Sequence, residues 1–429
     1  MRRTSAITEL ARMLVAGGIT TDRLERAPTV DDMRTIARRR LPRMSFDFVD
    51  GGAGAETTLR ANVSDLARVT LRPRSLVDVS EPSLSTLVVG QRLPMPVVLA
   101  PCGLIRVIGG DGELSAVRAA GAAGLTYTIS TASSWSIEEI AAEASGPLWF
   151  QLYMWRSREV IAALVQRAKE AGCTALVLTV DVVVNSKRPR DHRNGMSIPP
   201  QITLRNVAGA VRHPAWFASL LHGPAIGFRN LQGIAEGSSA MSHQEYVNSQ
   251  LANLSPSWDD IAWLRRCWDG PLFIKGITTV EDAESAAAAG ADGIFVSNHG
   301  GRQLDGLPSA ISTLPLIADA VGDRLDIILD SGIRSGGDVV KAVALGAKAT
   351  AIGRSWVWGA AAAGQRGVEH VAKIYRTEIE EALMLLGCPD VANLDRSRVN
   401  YPLEWDRLGP SSSQPGGPAG PASPSALDI

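Results

Sequence analysis

The stretch SREVIAALVQRAKEAG (Ser157 to Gly172) runs within two residues into ALVLTVD (Ala175 to Asp181). The first piece forms a helix closed by Gly172, whose freedom at positive φ supplies a left-handed C-cap. The second is a continuously apolar, β-rich run, as expected of a strand buried on both faces. The same pairing recurs along the chain. Strands are predicted at Met95–Ala100, Leu125–Thr131, Leu148–Tyr153, Ala175–Asp181, Pro271–Ile277, Gly293–Asn298, Asp326–Gly332 and Lys348–Arg354. Most are followed by an Ala-rich helix ending in Gly, such as VEDAESAAAAG (Val280 to Gly290). Apolar strands joined by helices imply a parallel sheet covered on both faces, and eight such units favour a closed (β/α)8 barrel over an open doubly wound sheet.

The expected organisation is an α/β protein, a (β/α)8 TIM barrel with an N-terminal helical extension and a long loop insertion after the fourth strand. Residues 1–28 are read as the extension, 29–408 as the catalytic domain and 409–429 as a disordered tail rich in Pro, Gly and Ser. Thr29 to Asp32 gives a T-x-x-D capping signal for a helix stopping near Leu41-Pro42. The barrel spacing breaks once, across residues 182–257, and so long a loop is usually functional or mobile.

Of the 429 residues, 45% are hydrophobic and 20% charged, with a formal net charge of -1. A large core can be buried, and nucleic acid is not an expected partner. Cys102, Cys173, Cys267 and Cys388 show no C-x-x-C spacing, so neither a disulfide framework nor a metal site is expected, which suits a reducing cytoplasm. Glu9 and Arg12 interrupt the N-terminal apolar stretch, and no export signal is read. No run of about 18 apolar residues suggests a membrane span. The expected location is cytoplasmic or peripheral on the inner face of the cell membrane.

In such a barrel the C-terminal strand ends face the active site. Here those ends carry Cys102, Ser130, Gln151 with Tyr153, Thr179 with Asp181, Lys275, Ser297 with His299, Asp330 with Arg334, and Arg354. DSGIRSGGD (Asp330 to Asp338) and IGR (Ile352 to Arg354) combine Gly-rich amides, a helix N-terminus and two arginines, a combination that can surround a phosphate dianion. SNHGGRQLD (Ser297 to Asp305) places His299 three residues before Arg302. The histidine can act as a base near neutral pH and the arginine can clamp a carboxylate. Asp181 can orient His299, and Lys275 can set a positive charge against an electron-rich cofactor atom.

These motifs together, with FQLY, LTVD, IKG and the Arg334 turn, resemble the flavin-dependent 2-hydroxy-acid oxidase and dehydrogenase family from about Leu41 to Asn393. The resemblance implies FMN across the barrel mouth. Ala100, Pro101, Cys102, Gly103, Ser130, Gln151, Thr179, Lys275 and Ser297 would surround the ring and ribityl chain, while Asp330, Ser331, Gly332, Arg334, Gly353 and Arg354 would take the phosphate end. It further implies His299 as base, Asp181 as its partner, Tyr153 at the substrate hydroxyl, Arg302 and Arg188 as cations at the substrate, Lys275 stabilising reduced flavin, and a homotetramer.

Three positions depart from the family pattern. MSFDF (Met44 to Phe48) puts Phe48 where many members have a tyrosine, removing a hydroxyl at the substrate carboxylate. One lost charge-assisted bond costs about 1.5–3 kcal/mol, and Arg302 still neutralises the charge. Cys102 replaces a usual Thr and is read as a small residue contributing backbone contacts. Ser331 replaces a usual Gly, as in the mandelate dehydrogenase branch.

RSLVDVS (Arg74 to Ser80), STASSWSIEE (Ser130 to Glu139), HPAWF (His213 to Phe217) and LGCPD (Leu386 to Asp390) lean the same way. Ala132 is small where short-chain oxidases often carry Trp, leaving room for a bulky or aromatic 2-hydroxy acid such as mandelate over lactate or glycolate. Gly103 stands where oxidases often have Ala, and the resemblance links Gly there with poor use of oxygen. In WFASLLHGPAIGF (Trp216 to Phe228), Trp216, Phe217, Leu220 and Leu221 recur at helical spacing on one face. That helix either packs on the barrel or lies on a membrane surface where it reaches a quinone or other electron acceptor. Relatives that oxidise peptide-derived substrates in cofactor pathways tend to lose the arginine that is present here as Arg302.

Overall fold

The computed structural model describes residues 24–184, 186–196, 204–232 and 256–408. The tail expected at 409–429 and most of the extension expected at 1–28 lie outside the described residues.

Eight parallel strands close on themselves: β1 (Val97–Leu99), β2 (Tyr127–Ser130), β3 (Leu148–Tyr153), β4 (Ala175–Thr179), β5 (Leu272–Ile277), β6 (Gly293–Val296), β7 (Asp326–Leu329) and β8 (Ala349–Ile352). Parallel pairing of β8 with β1 completes the ring. The expected (β/α)8 barrel is therefore the fold. Several expected strands ran past the observed ends on the C-terminal side. Val180, Ser297 and Asp330 each keep one backbone bond to the neighbouring strand, and beyond them the chain leaves the ladder, with Asp181 turned to His299 and Ser331 to Asp330. The paired helix reading also stands: Arg158–Glu170 and Val280–Ala288 are helices, each followed by a glycine at positive φ, Gly172 and Gly290.

The barrel interior is apolar and rich in aromatic rings. Trp149, Phe273 and Phe295 are all fully buried, with ring centroids 5.0 Å apart for Trp149–Phe273 and 5.5 Å for Phe273–Phe295. Below them a hairpin, Thr86–Val88 against Gln91–Leu93, plugs the N-terminal end. Gln91 Oε1 accepts from Trp149 Nε1 and Gln91 Nε2 donates to Thr126 Oγ1. The N-terminal end of the barrel is thus plugged, and the opposite, C-terminal mouth is the open one.

At the N-terminal side, Thr29 caps the helix Val30–Arg40 in a reciprocal capping box with Asp32, as the T-x-x-D spacing predicts. A second helix, Arg43–Asp50, follows and lies over the mouth. The insertion 182–257 contains helices Pro189–Asn194, Leu204–Arg212 and Pro214–Leu220 and a 3-10 turn, Arg229–Leu231. The single apolar face expected of Trp216, Phe217, Leu220 and Leu221 is corrected by the structure. Trp216 and Leu220 are half-buried toward the barrel, with Trp216 Nε1 donating to Val107 O at 3.0 Å, whereas Phe217 and Leu221 are 50% and 70% exposed. The four residues form two i,i+4 pairs that fall on different sides of one short helix.

Because the Phe273 ring fills the centre of the barrel, Phe273→Ala should cost roughly 3–5 kcal/mol of stability. The shift in urea midpoint measures this, and a loss below about 1 kcal/mol would mean that the interior collapses to fill the space.

Candidate active site at the barrel mouth

His299 sits just past β6 with φ +57, a left-handed conformation that costs a non-glycine residue free energy. Its neighbours hold it there. His299 N donates to Ser297 Oγ at 3.1 Å, and the buried Asn298 exchanges two hydrogen bonds with Asn62, at 2.7 and 2.8 Å. The ring is thereby presented to Asp181, with Nδ1 to Oδ1 at 3.0 Å. Burial works against the Asp181 carboxylate, but the nearby His299 and Lys275 outweigh it and lower its pKa. An ionised Asp181 fixes the proton on Nδ1 and leaves Nε2 as the nitrogen able to exchange one with a ligand. Gly276 makes the room: it forms a bulge in β5 at φ +108, and a Cβ there would lie 2.8 Å from Asp181 Cβ.

Lys275 is buried, with Nζ 2.6 Å from Asp330 Oδ2 and 2.7 Å from Ser297 Oγ. Burial lowers its pKa, yet Asp330 and Asp181 raise it further, so the ammonium persists. Ser331, at φ +74, donates to Asp330 Oδ1 at 2.6 Å and accepts from the Asn298 and Gly300 amides. Its hydroxyl ties the β6 and β7 ends together.

Three guanidiniums crowd the same mouth without a carboxylate partner among the described residues. Arg302 Nη1 donates to Phe48 O at 2.8 Å and Gly51 O at 2.9 Å, and the guanidinium lies 5.4 Å from the Phe48 ring centroid. Arg354 donates to the carbonyls of Val49, Gly51 and Gly300. Arg334 donates to Ile333 O and stacks on Trp358 at 4.8 Å. The C-terminal end of helix Arg43–Asp50 thus supplies carbonyl oxygens, and a negative dipole end, to two cations at once. Burial and the charge of Arg188 bring Arg302 down to about 10, while burial and its arginine neighbours push Arg354 well below its usual value.

One cleft gathers most of the expected residues: Phe48, Ala100, Pro101, Cys102, Gly103, Tyr153, Arg188, Lys275, His299, Arg302, Asp330, Ser331, Gly332, Arg334, Gly353 and Arg354. It encloses about 1370 Å³ of space when the open mouth is included. Asp181, Ser130, Gln151, Thr179 and Ser297 stand behind the wall. Strand register brings Ser130 beside Gln151, and Ser130 Oγ donates to Gln151 Oε1 while Gln151 Nε2 donates to Thr179 Oγ1 at 3.0 Å. Burial and the Asp181 charge raise the Tyr153 phenol, so it remains a neutral donor. Arg188 opens the short helix Pro189–Asn194 and pairs with Asp191 at 3.5 Å.

Sequence reasoning missed Asn62, Asn298, Val182 and Phe228. The asparagines are 236 residues apart and carry no joint motif. Phe228 is one aromatic residue in an irregular loop, with nothing local to mark it.

Residues 37–401 match the sequence profile of a family described as FMN-dependent dehydrogenase. An L-lactate dehydrogenase of Xanthomonas euvesicatoria pv. vesicatoria is 48% identical over 374 residues, covering 86% of this chain and 95% of that protein. One of Vibrio cholerae serotype O1 is 44% identical over 373 residues, covering 86% and 97%. A solved structure of the monotopic membrane protein (S)-mandelate dehydrogenase superposes with a TM-score of 0.83 at 37% identity, covering 87% of this chain and 99% of that one. A mandelate oxidase structure gives 0.73 at 38% identity, covering 87% and 98%.

The site's own chemistry suits FMN. Arg334 and Arg354, uncompensated by carboxylates, match a phosphate dianion. Gly353 leaves the wall open, since a Cβ there would meet only Cys102 Sγ at 3.6 Å and Ala100 Cβ at 3.9 Å. Burial pushes the Cys102 thiol up to about 12, although Arg302 and Arg354 oppose the shift. At pH 8 only about one thiol in 10⁴ is then ionised. Iodoacetamide should leave native Cys102 unmodified by peptide mass spectrometry and label it once urea unfolds the protein; rapid labelling of the folded enzyme would contradict this.

Proposed function

The chain belongs to the FMN-dependent dehydrogenase family, and on that premise we propose that it oxidises a bulky or aromatic L-2-hydroxy acid, such as mandelate, to the 2-oxo acid, with electrons passing to a quinone at a membrane surface. The observation that carries the substrate reading is the apolar part of the cleft lining, Ala132, Leu104, Val182 and Phe228, in the same cleft as Arg302 and Arg188. Residues 29–408 make up the catalytic unit in this reading, with 182–257 inserted in it and the whole assembled as a homotetramer. The relatives named for lactate favour a second reading, L-lactate as substrate.

Arg302 binds the substrate carboxylate. Its Nη1 is spent on Phe48 O and Gly51 O, so the edge formed by Nε and Nη2 is free of partners among the described residues and can take the carboxylate in parallel hydrogen bonds. Arg188 adds charge on the same side of the cleft, and the Phe48 ring backs the guanidinium without contributing a hydroxyl. Tyr153, kept neutral, donates toward the substrate hydroxyl. As the hydroxy acid becomes the 2-oxo acid it loses two hydrogens and two electrons: His299 Nε2 accepts one hydrogen as a proton, Asp181 stabilises the resulting imidazolium through Nδ1, and the other hydrogen and the electron pair would pass to the flavin. FMN, when bound, supplies the two-electron acceptor, and Lys275 places a fixed positive charge at the same mouth.

The surface reading rests on Phe217, Leu221 and Val211, which are 50%, 70% and 74% exposed on the insertion. No helix among the described residues is long and apolar enough to cross a membrane. Such side chains suit a helix lying in the interface plane.

Under anaerobic conditions a 2-hydroxy acid should bleach the yellow flavin, and kcat/KM should rank mandelate above lactate and lactate above glycolate; lactate ranked first would install the second reading. Arg302→Met should lower kcat/KM roughly ten- to hundredfold, for a loss of about 1.5–3 kcal/mol, and a mild effect would show another carboxylate anchor. The pair Phe217→Ser and Leu221→Ser should reduce co-sedimentation with lipid vesicles while dye-coupled turnover stays unchanged; vesicle binding as strong as that of the unmodified protein would end the surface reading.

A further inference from the structure

The returning limb of the insertion, Phe228 to Leu231, is bound to the barrel with a density unusual for a loop. Asn230 is fully buried. Its Nδ2 donates to Ser130 O at 3.2 Å, Thr131 O at 3.3 Å and Ser133 Oγ at 3.1 Å, and its Oδ1 accepts from Ile137 N at 2.8 Å. The backbone is held as well: Arg229 N donates to Ser133 O at 3.1 Å, and Asn230 O accepts from Arg167 Nη1 at 2.7 Å. A buried amide satisfied at both ends cannot slide without stranding polar groups, each costing about 1–3 kcal/mol.

What this limb presents to the cleft is the Phe228 ring, 8% exposed and part of the wall that also contains Ala132, Leu104 and Val182. The wall is thin beside it. Gly103 has no side chain, and a Cβ there would lie 2.7 Å from Ala132 Cβ. Leu104 N donates to Ala132 O at 2.9 Å, which keeps this segment against the one that Asn230 grips. With hydrogen at 103 and methyl at 132, the aromatic side chain on this part of the wall, beside Leu104, comes from the insertion.

We propose that Phe228 is the specificity-determining residue that sets the size of hydroxy-acid side chain accepted, and that Asn230 is the positioning residue that fixes its ring. The ligand class is an apolar substituent at C2 of the acid, packed against the Phe228 ring while Arg302 holds the carboxylate. The inference rests on the hydroxy-acid reading above and adds to it which residue gauges the substrate.

The test uses the holoenzyme in a dye-coupled assay with L-lactate, (S)-mandelate and L-3-phenyllactate. Phe228→Ala should raise the kcat/KM ratio of phenyllactate to lactate at least tenfold, within the range that pocket shape provides. Phe228→Leu, a smaller cut, should give an intermediate shift and serves if the alanine variant loses FMN absorbance. Asn230→Ala should move the ratio in the same direction, and adding it to Phe228→Ala should change the ratio by less than twofold, because its effect passes through the ring. A ratio within twofold of the unmodified enzyme in both Phe228 variants overturns the proposal. A lowered Tm with an unmoved ratio in Asn230→Ala assigns Asn230 to stability alone and overturns its half. An unmodified enzyme whose flavin no 2-hydroxy acid bleaches overturns the underlying reading instead.

Discussion

Like charges of one sign are hard to keep together, and the mouth of this barrel keeps three guanidiniums there without a carboxylate for any of them among the described residues. Arg302 and Arg354 are steadied by backbone carbonyls at the end of helix Arg43–Asp50, and Arg334 by a carbonyl and the face of Trp358. Carbonyl dipoles solvate a cation without cancelling its charge, so the mouth stays electropositive and ready for anions. A carboxylate in the same place would have neutralised the arginines and competed with both a phosphate and an acid substrate. The carboxylates that do approach are taken up by other cations: Asp181 by His299, Asp330 by Lys275, Asp191 by Arg188 and Asp50 by Arg34 and Arg190.

That arrangement explains how much could be read from sequence. The eight strands are legible because their interiors are continuously apolar, a pattern that composition alone carries. Their C-terminal ends were over-read for the reason that makes them functional: Asp181, Asn298 and Asp330 belong to the chain direction of a strand but their side chains to the hydrogen bonding of a site. Charged residues such as Arg302 and Lys275 stand out locally, whereas the supports do not. Asn62 meets Asn298 only because the helix Thr57–Arg68 folds back over β6, and Ser331 reveals its tie only once the β6 and β7 ends are adjacent. The insertion shows the same limit. Apolar spacing marked a helix at Trp216 to Leu221 but could not divide its faces, since that division is made by the Val107 carbonyl on another segment.

Two non-glycine residues at positive φ, His299 and Ser331, sit side by side in this network. Each conformation costs of order 1–3 kcal/mol and survives because the surrounding bonds over-determine it. Such strain concentrates where a side chain must point out of the regular ladder into the mouth.

The contacts of helix Arg43–Asp50 also set an order of events during synthesis. Its partners Arg302 and Arg354 lie 254 and 305 residues further along the chain. The helix leaves the ribosome long before the arginines that its carbonyls will hold, and closure of so wide a loop is entropically slow. Both contacts of the helix end with these arginines can form only after most of the barrel has been synthesised. A chain cut short of Arg354 would lack one of the two cations held by this helix end and the strand β8 that closes the barrel, so the site has no complete precursor in any shorter piece of the sequence.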